Sequence, residues 1–146
     1  MTRRSSAHGL GTVVTALGGA MTVVGAIAYA QVHRELKGAR ITVAKSAPIL
    51  AGKTVSGPVS AYAQAVAIDK SALAATGGRT YAELESDHPA RETAMSASFL
   101  RASLFTSVIA FGVAAMAAGL GLALVLLGRA VVALSRPAPG ARPEGG

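Results

Sequence analysis

The stretch GLGTVVTALGGAMTVVGAIAYAQV, from Gly9 to Val32, contains no Lys, Arg, Asp or Glu. A second stretch, ASLFTSVIAFGVAAMAAGLGLALVLLG, runs from Ala102 to Gly128 and is equally free of charge. Crossing the hydrocarbon core of a bilayer takes about 20 apolar residues, and both stretches are longer than that. The sequence therefore predicts an all-α membrane protein, a hairpin of two transmembrane helices at 9–32 and 102–128.

The rest of the chain lies between and around these two stretches. Residues 33–101 are the only polar segment of any size, and a segment that short buries only a thin core of its own. We expect a small, mainly helical extracytoplasmic domain there. The eight residues before the first stretch form a polar cytoplasmic leader. Residues 129–146 are basic and rich in Pro and Gly, which predicts a disordered cytoplasmic tail.

The orientation of the hairpin depends on the start of the chain. Arg3 and Arg4 precede the first apolar stretch, as in a signal sequence, and Ala28-Tyr29-Ala30 matches a small-x-small cleavage pattern. The apolar stretch exceeds the roughly 7 to 15 residues of a cleaved signal, which favours an uncleaved signal anchor. Basic residues near the stretches are too evenly divided to decide the matter. We expect a multi-pass protein of the cell (plasma) membrane with both termini in the cytoplasm.

Local patterns predict helices within residues 33–101. Ile41-Thr42-Val43 is β-prone but too short to build a sheet alone. Pro58 suits the first turn of a helix, and Gly77-Gly78 suits its end, which predicts a helix over about 58–76. One face of that helix is apolar and therefore needs a partner. The residues that recur at helical spacing on it are Val59, Tyr62, Ala63, Val66 and Leu73.

A second helix start follows the glycine pair. Thr80 and Glu83 have the spacing of a capping box, in which a hydroxyl and a carboxylate three residues later satisfy each other's backbone amides. Asp87-His88-Pro89 then predicts a helix that starts at about residue 89. Nothing interrupts this helix before Gly128, so we expect it to run directly into the second transmembrane stretch.

Small residues predict how the two spans pack, because helices in lipid associate through close contact of small side chains. The first span carries a stripe at spacings of four and three: Gly11, Thr15, Gly18, Thr22 and Gly25. The second span offers Ala110, Ala114, Ala117 and Gly121. A neighbouring face offers Gly112, Ala115 and Gly119 instead. We expect a tight antiparallel hairpin that uses one of these faces and leaves the other for an outside helix.

The sequence lacks the residues that several kinds of chemistry require. There is no Cys, which excludes disulfides and thiolate nucleophiles, and neither span holds a charge of the kind that ion pathways use. The three histidines, His8, His33 and His88, lie far apart in the sequence. We therefore predict no catalytic residue, no metal site, no cofactor and no small-molecule substrate. The net charge of +7 comes from scattered basic residues, which favours contact with membrane lipids and not with nucleic acid.

Five segments together resemble a known family. They read ITV at 41–43, AGKTVSGP at 51–58, AYAQA at 61–65, GGRTYAEL at 77–84 and ASFLRASLFTS at 97–107. This pattern is similar to small actinobacterial two-span membrane proteins of unknown function, often labelled as aromatic ring-opening dioxygenase small subunits. The resemblance covers roughly residues 9–128 and implies the two-span topology. It brings no catalytic motif to this chain.

These observations favour a non-enzymatic membrane protein, an accessory, assembly or scaffold component that presents its helical domain to a membrane partner or to itself. The residues expected to contact such a partner are Tyr62, Val66, Leu73, Tyr81 and Leu84. One alternative is a self-associating, pore-like or transporter-like assembly, which requires a polar stripe along a span. A further alternative is a dioxygenase-related subunit, which requires bound iron.

Overall fold

Three α-helices account for most of the chain. The computed structural model describes residues 2–135, with side chains from Ser6 onward. Helix α1 spans Thr2–Gly38, α2 spans Pro58–Ala75, and α3 spans Arg91–Ser135, with one short 3-10 turn at Tyr81–Glu83. Within residues 2–135 the only β-type pairing is an isolated bridge, so the prediction of an all-α protein is confirmed.

Helices α1 and α3 are both longer than the apolar stretches inside them. Helix α1 has 37 residues and begins at Thr2, so it includes the polar segment that we expect to be a cytoplasmic leader. Helix α3 has 45 residues and continues through residues 129–135 of the expected tail. No Pro or Gly interrupts 129–135, and Ala130 and Leu134 favour a helix there. The rest of the expected tail lies outside the described residues.

The chain divides into two compact units. The paired-helix unit comprises Met1–Ala26 and Ala115–Gly146, so it contains the first part of α1 and the last part of α3. The connector unit comprises Ile27–Ala114, with all of α2 and the adjoining parts of α1 and α3. Of the described residues, only those in α1 and α3 form helices long and apolar enough to cross a membrane.

The residues at the two ends of α2 explain where this helix begins and ends. Pro58 occupies the first helical position, and the hydroxyl of Ser60 accepts hydrogen bonds from the amides of Ser56 (3.0 Å) and Gly57 (3.1 Å). At the other end the amide of Gly78 donates to the carbonyl of Leu73 at 2.7 Å. Gly77 has a φ of +65°, a left-handed conformation that glycine adopts without strain.

Helix α2 is buried on two opposite sides, whereas the sequence pattern predicted a single apolar face. Residues two apart are rotated by roughly 200° on a helix, so Ala61 and Ala63 point in nearly opposite directions. Both are at most 1% exposed, and so are Ala65 and Ala67. The alanine methyl groups let other segments approach α2 from both sides, which an analysis based on large apolar residues does not detect.

The segment before α2 folds back on itself in a short β-like pairing. The amide of Val43 donates to the carbonyl of Lys53 at 2.8 Å, and the amide of Val55 donates to the carbonyl of Ile41 at 2.8 Å. The isolated bridge joins Thr42 and Thr54. Val43 and Val55 are at most 1% exposed and belong to the connector core. The β-prone piece predicted at 41–43 therefore has a partner strand segment that the sequence pattern did not reveal.

Candidate functional site

The closest helix contacts of the paired-helix unit occur at four glycines. Gly11 and Gly18 of α1 and Gly121 and Gly128 of α3 are all buried. A Cβ atom placed on Gly18 would lie 2.5 Å from the carbonyl oxygen of Gly121, and one placed on Gly121 would lie 2.5 Å from the amide nitrogen of Thr22. Such distances are shorter than ordinary van der Waals contact, so the two backbones approach as closely as glycine allows.

Two threonines lie beside these glycines, and their hydroxyl groups are already used. Thr15 Oγ1 donates to the Gly11 carbonyl at 2.8 Å, and Thr22 Oγ1 donates to the Gly18 carbonyl at 2.9 Å. Each bond stays within α1, four residues back along the helix. The Thr22 hydroxyl also lies 3.5 Å from the carbonyl of Ala118 in α3. The one proton of each hydroxyl is therefore already used within the protein.

The other members of the predicted stripes differ in burial. Gly25 and Ala114 are buried, while Ala110 and Ala117 are half-buried. On the neighbouring face of α3, a Cβ atom on Gly112 or on Gly119 would meet no heavy atom within 4 Å. Of the two small-residue faces predicted on α3, the face with Gly121 contacts α1, whereas Gly119 of the other face lies in open space.

The connector unit contains two apolar grooves that share Ile68 and Leu100. The first groove, of about 530 Å³, lies between the end of α1, helix α2 and the beginning of α3. The second groove, of about 480 Å³, continues along α2 and α3 on the side of Ala44. The first groove is lined by Gln31, Val32, Glu35, Leu36, Ala39, Ile41, Gln64, Ile68, Leu100, Ser103, Leu104, Thr106, Ser107 and Ala110. The two grooves together are large enough to hold an apolar peptide segment.

Most polar side chains of the first groove already have hydrogen-bond partners. Gln64 Oε1 accepts from the amide of Ala44 at 2.7 Å, and Gln31 Nε2 donates to Glu35 Oε1 at 3.2 Å. Ser107 Oγ donates to the Ser103 carbonyl at 3.1 Å. The first groove thus presents mainly apolar walls, with Glu35 as its one carboxylate. The second groove also contains polar side chains, namely Ser71, Glu92, Thr93 and Ser96. Apolar walls recognise another apolar surface by burial rather than by a pattern of hydrogen bonds.

The five residues predicted to contact a partner do not form one open face. Tyr62 is 51% exposed, and its ring packs edge-on against Phe105 with centroids 5.9 Å apart. Val66 and Leu73 are half-buried. The Tyr81 ring is covered by the guanidinium of Arg91, 4.5 Å from the ring centroid. Leu84 is only 3% exposed, so it belongs to the interior and offers no contact surface.

Two further exposed apolar residues of the connector unit lie in the first part of α3. Phe99 is 69% exposed and Leu100 is 54% exposed. The sequence predicts the helix that contains both residues, just before Arg101, but we did not include them among the expected contact residues. Arg101, the next residue, forms an ion pair with Asp69 of α2, 32 positions away in the sequence.

The capping box at Thr80 has the predicted geometry. Glu83 Oε2 accepts from the Thr80 amide and from the Thr80 hydroxyl, both at 2.8 Å. These two hydrogen bonds lower the pKa of the Glu83 carboxyl, and the charge of Arg79 adds to the effect.

At the start of α3, His88 Nδ1 accepts a hydrogen bond from the Ala90 amide at 3.1 Å, just before the helix begins at Arg91. Pro89 therefore precedes the helix and does not occupy its first turn.

His33 of α1, one of the histidines of the connector unit, has a hydrogen-bond partner within that unit. His33 Nδ1 lies 2.5 Å from the Ser56 carbonyl oxygen. Because a carbonyl oxygen can only accept, Nδ1 carries the proton of this bond. Among residues 2–135, no three His, Asp or Glu side chains lie close enough together to hold a metal ion.

Comparison with other proteins adds no identity to this geometry. No known protein family matches the sequence, and neither a curated protein nor a solved structure matches the chain.

Proposed function

We propose that this chain is a non-enzymatic integral membrane protein whose helices α1 and α3 cross the cell membrane as a hairpin. In this proposal the connector unit lies on the outer side and presents its apolar grooves to a membrane partner. The protein would act by binding, as an accessory, assembly or scaffold component. The sequence resemblance to two-span membrane proteins agrees with this assignment.

One observation carries the membrane assignment. In the most apolar window of each long helix, only 17% of the residues are buried within the protein. The core helix of a soluble protein would have most of such a window buried. Here large apolar side chains point outward, among them Val13 (65% exposed) and Leu126 (62% exposed). Exposing that much apolar surface to water would be strongly unfavourable, whereas lipid tails accommodate it.

The partner assignment is based on the connector unit. Leu100 is 54% exposed and lines both grooves, and Phe99, which precedes it in the sequence, is 69% exposed. Contiguous exposed apolar surface of this kind marks sites of association in proteins. A partner that inserts an apolar segment beside Ile68 and Leu100 would bury the surface that the isolated chain leaves open.

The membrane topology can be tested with single cysteines, because the natural chain has none. Ser86→Cys places a thiol in the connector unit, and Ser135→Cys places one at the end of α3. In intact cells a membrane-impermeant maleimide should label the first variant only, and permeabilised cells should show label on both. Label on both in intact cells, or recovery of the chain in the soluble fraction, would refute the hairpin.

The partner can be tested by affinity purification in mild detergent, followed by mass spectrometry and metal analysis. We expect a stoichiometric membrane protein with the wild-type chain, and its loss with Leu100→Arg, which places a charge in both grooves. Ile49→Arg is the matched control, because Ile49 is 48% exposed but lines neither groove. Equal recovery with both variants would remove the grooves from the proposal. Near-stoichiometric iron would favour the dioxygenase-related alternative.

Self-association is the second candidate function, and the open face of α3 favours it. Gly112 and Gly119 have empty space where a side chain would stand, which would allow another helix to approach closely. A pore-like assembly requires an open polar stripe along a span, whereas the Thr15 and Thr22 hydroxyls lie at the contact between α1 and α3. Purification of the chain alone as a defined oligomer, disrupted by Gly119→Leu, would favour this second candidate.

A further inference from the structure

A groove of about 500 Å³ lies beside the helix contact of the paired-helix unit, near the end of α3. Thr12, Thr15 and Ala16 of α1 form one wall, and Arg129, Val132 and Ala133 of α3 form the other. The groove is separate from those of the connector unit and takes no part in the partner binding proposed above. Its walls combine one cation with short, largely apolar side chains.

Arg129 is the unusual member of this groove, because nothing in the described chain pairs with it. Its guanidinium has neither an ion pair nor a hydrogen bond among residues 6–135, and its side chain is exposed. The described segments of the unit, 2–26 and 115–135, contain no Asp or Glu at all. An anion that neutralises Arg129 within this groove must therefore come from outside those segments.

The position of the groove indicates the kind of anion. Arg129 directly follows Gly128, the last residue of the uncharged stretch, and Thr12 lies three residues after Gly9, where the other stretch begins. If α1 and α3 cross a bilayer, both residues lie where apolar chain gives way to polar headgroups. A guanidinium at that depth matches the phosphate oxygens of a lipid in charge and in hydrogen-bond geometry.

The remaining walls match the rest of such a lipid. Val132, Ala133 and Ala16 provide apolar surface next to the guanidinium, and the Thr12 and Thr15 hydroxyls already donate to the carbonyls of His8 and Gly11. The groove thus supplies one strong donor and an apolar lining, without further donors that would suit a small, fully hydrated anion. This combination suits a molecule with an anionic head and an apolar body.

We propose that this groove binds one anionic phospholipid, with its phosphate on Arg129 and its glycerol and upper acyl chain against Ala16, Val132 and Ala133. The proposal rests on the membrane assignment made under the proposed function. It differs from a general attraction of basic residues to an anionic bilayer, because it requires both the charge of Arg129 and the open volume beside Ala133.

The test measures lipid bound to the full chain after extraction from membranes into neutral detergent. Native mass spectrometry would count lipids retained per chain, with phosphatidylglycerol, phosphatidylcholine or inorganic phosphate added in turn. We expect one retained phosphatidylglycerol, bound about fivefold more tightly than phosphatidylcholine, which corresponds to one basic side chain acting near a membrane surface. Inorganic phosphate should neither bind nor compete.

Three variants separate the groove from general electrostatics. Arg129→Gln should abolish the preference for phosphatidylglycerol. Ala133→Leu keeps every charge but fills the groove, and it should reduce retention as strongly. Ala130→Leu is its control, because Ala130 is exposed on the same helix and does not line the groove. Equal retention by Ala133→Leu and wild type, or competition by inorganic phosphate, would overturn the proposal while the membrane assignment stands. A chain that never enters the membrane fraction would overturn both.

Discussion

The two units of this molecule differ in how they use polar groups. In the described segments of the paired-helix unit there is no acidic residue, and the Thr15 and Thr22 hydroxyls donate chiefly to carbonyls of their own helix, with one longer contact of 3.5 Å from Thr22 to the Ala118 carbonyl. In the connector unit, polar groups join different segments, as in the ion pair of Arg101 with Asp69 and the bond between His33 and Ser56. The first pattern suits a surrounding that offers no hydrogen bonds, and the second suits water.

The units also need glycine for different reasons. Gly121 is required by space, because a Cβ atom there would lie 2.5 Å from the Thr22 amide nitrogen and 2.6 Å from the Gly18 carbonyl oxygen. Gly77 is required by backbone conformation, with a φ of +65° and no heavy atom within 4 Å of a Cβ atom. A larger side chain would therefore push helices apart in one unit and strain a helix end in the other.

The largest effect is expected where backbone meets backbone. In Gly121→Leu the new side chain cannot move a flexible neighbour aside, so the helices must separate, at a cost of about 3 kcal/mol, the upper end of ordinary overpacking. A cysteine pair at Thr22→Cys and Ala118→Cys reports the contact, because the Thr22 hydroxyl lies 3.5 Å from the Ala118 carbonyl. Disulfide cross-linking of this pair in membranes should fall to background.

Gly119→Leu is the matched control for that experiment. Gly119 lies on the same helix two residues earlier, and a Cβ atom there meets nothing within 4 Å. Cross-linking should remain at the level of the parent cysteine pair. If both leucine variants cross-link equally well, glycine contact does not hold the paired-helix unit together, and the contrast between the units loses its main support.

A smaller effect is expected in the core of the connector unit. Val55 is fully buried, so Val55→Ala should cost about 2 kcal/mol through lost burial and an incompletely filled cavity. The amide of Val43, which donates to Lys53, should then exchange with deuterium roughly thirtyfold faster if it exchanges by opening of this core, since 1.4 kcal/mol corresponds to a factor of ten.

Val59→Ala provides the comparison, because Val59 is 57% exposed on α2. The same chemical change there should leave exchange at Val43 nearly unchanged. Equal acceleration by both variants would show that this region opens without regard to the buried valines. The connector unit would then lack the water-excluding core that distinguishes it from the paired-helix unit.

The helices could be predicted from the sequence because each has a strong local signal. Uncharged length predicts α1 and α3, and Pro58 with Gly77-Gly78 predicts the ends of α2 to within one residue. The face of α3 that meets α1 could not be chosen, since Gly119 and Gly121 are equally small. Only the structure shows that Gly121 contacts α1 and that Gly119 does not.

Contacts between distant segments left no local pattern. Arg101 and Asp69 are 32 residues apart, and neither the spacing nor the neighbours of either residue indicate that they pair. The burial of α2 on two sides was equally hidden, because alanine is compatible with an exposed or a buried helix surface. The candidate grooves likewise lie between segments that are distant in the sequence. Leu100 could therefore be recognised as a groove residue only after the structure was known.

The smallest effect is expected at the capping box of the connector unit, where pH changes the protonation of Glu83 and therefore its hydrogen bonds with Thr80. The pKa of Glu83 is lowered in the folded chain, first by the hydrogen bond from the Thr80 amide and then by that from its hydroxyl. A lowered folded pKa means that this carboxylate contributes stability above its unfolded pKa, and that the contribution is lost as pH falls through the folded value. Acidification should therefore loosen the turn.

Amide chemical shifts of Thr80 in the detergent-solubilised chain would follow this titration. We expect the Thr80 signal to move with a midpoint below the usual glutamate range, and Glu83→Gln to remove that step. Glu85→Gln should retain it, because no hydrogen bond joins Glu85 to Thr80 in the described structure. A titration that persists in Glu83→Gln would assign the effect to another group. Because the side chain lies at the surface, the step should change local order at residues 80–83 without unfolding the connector core.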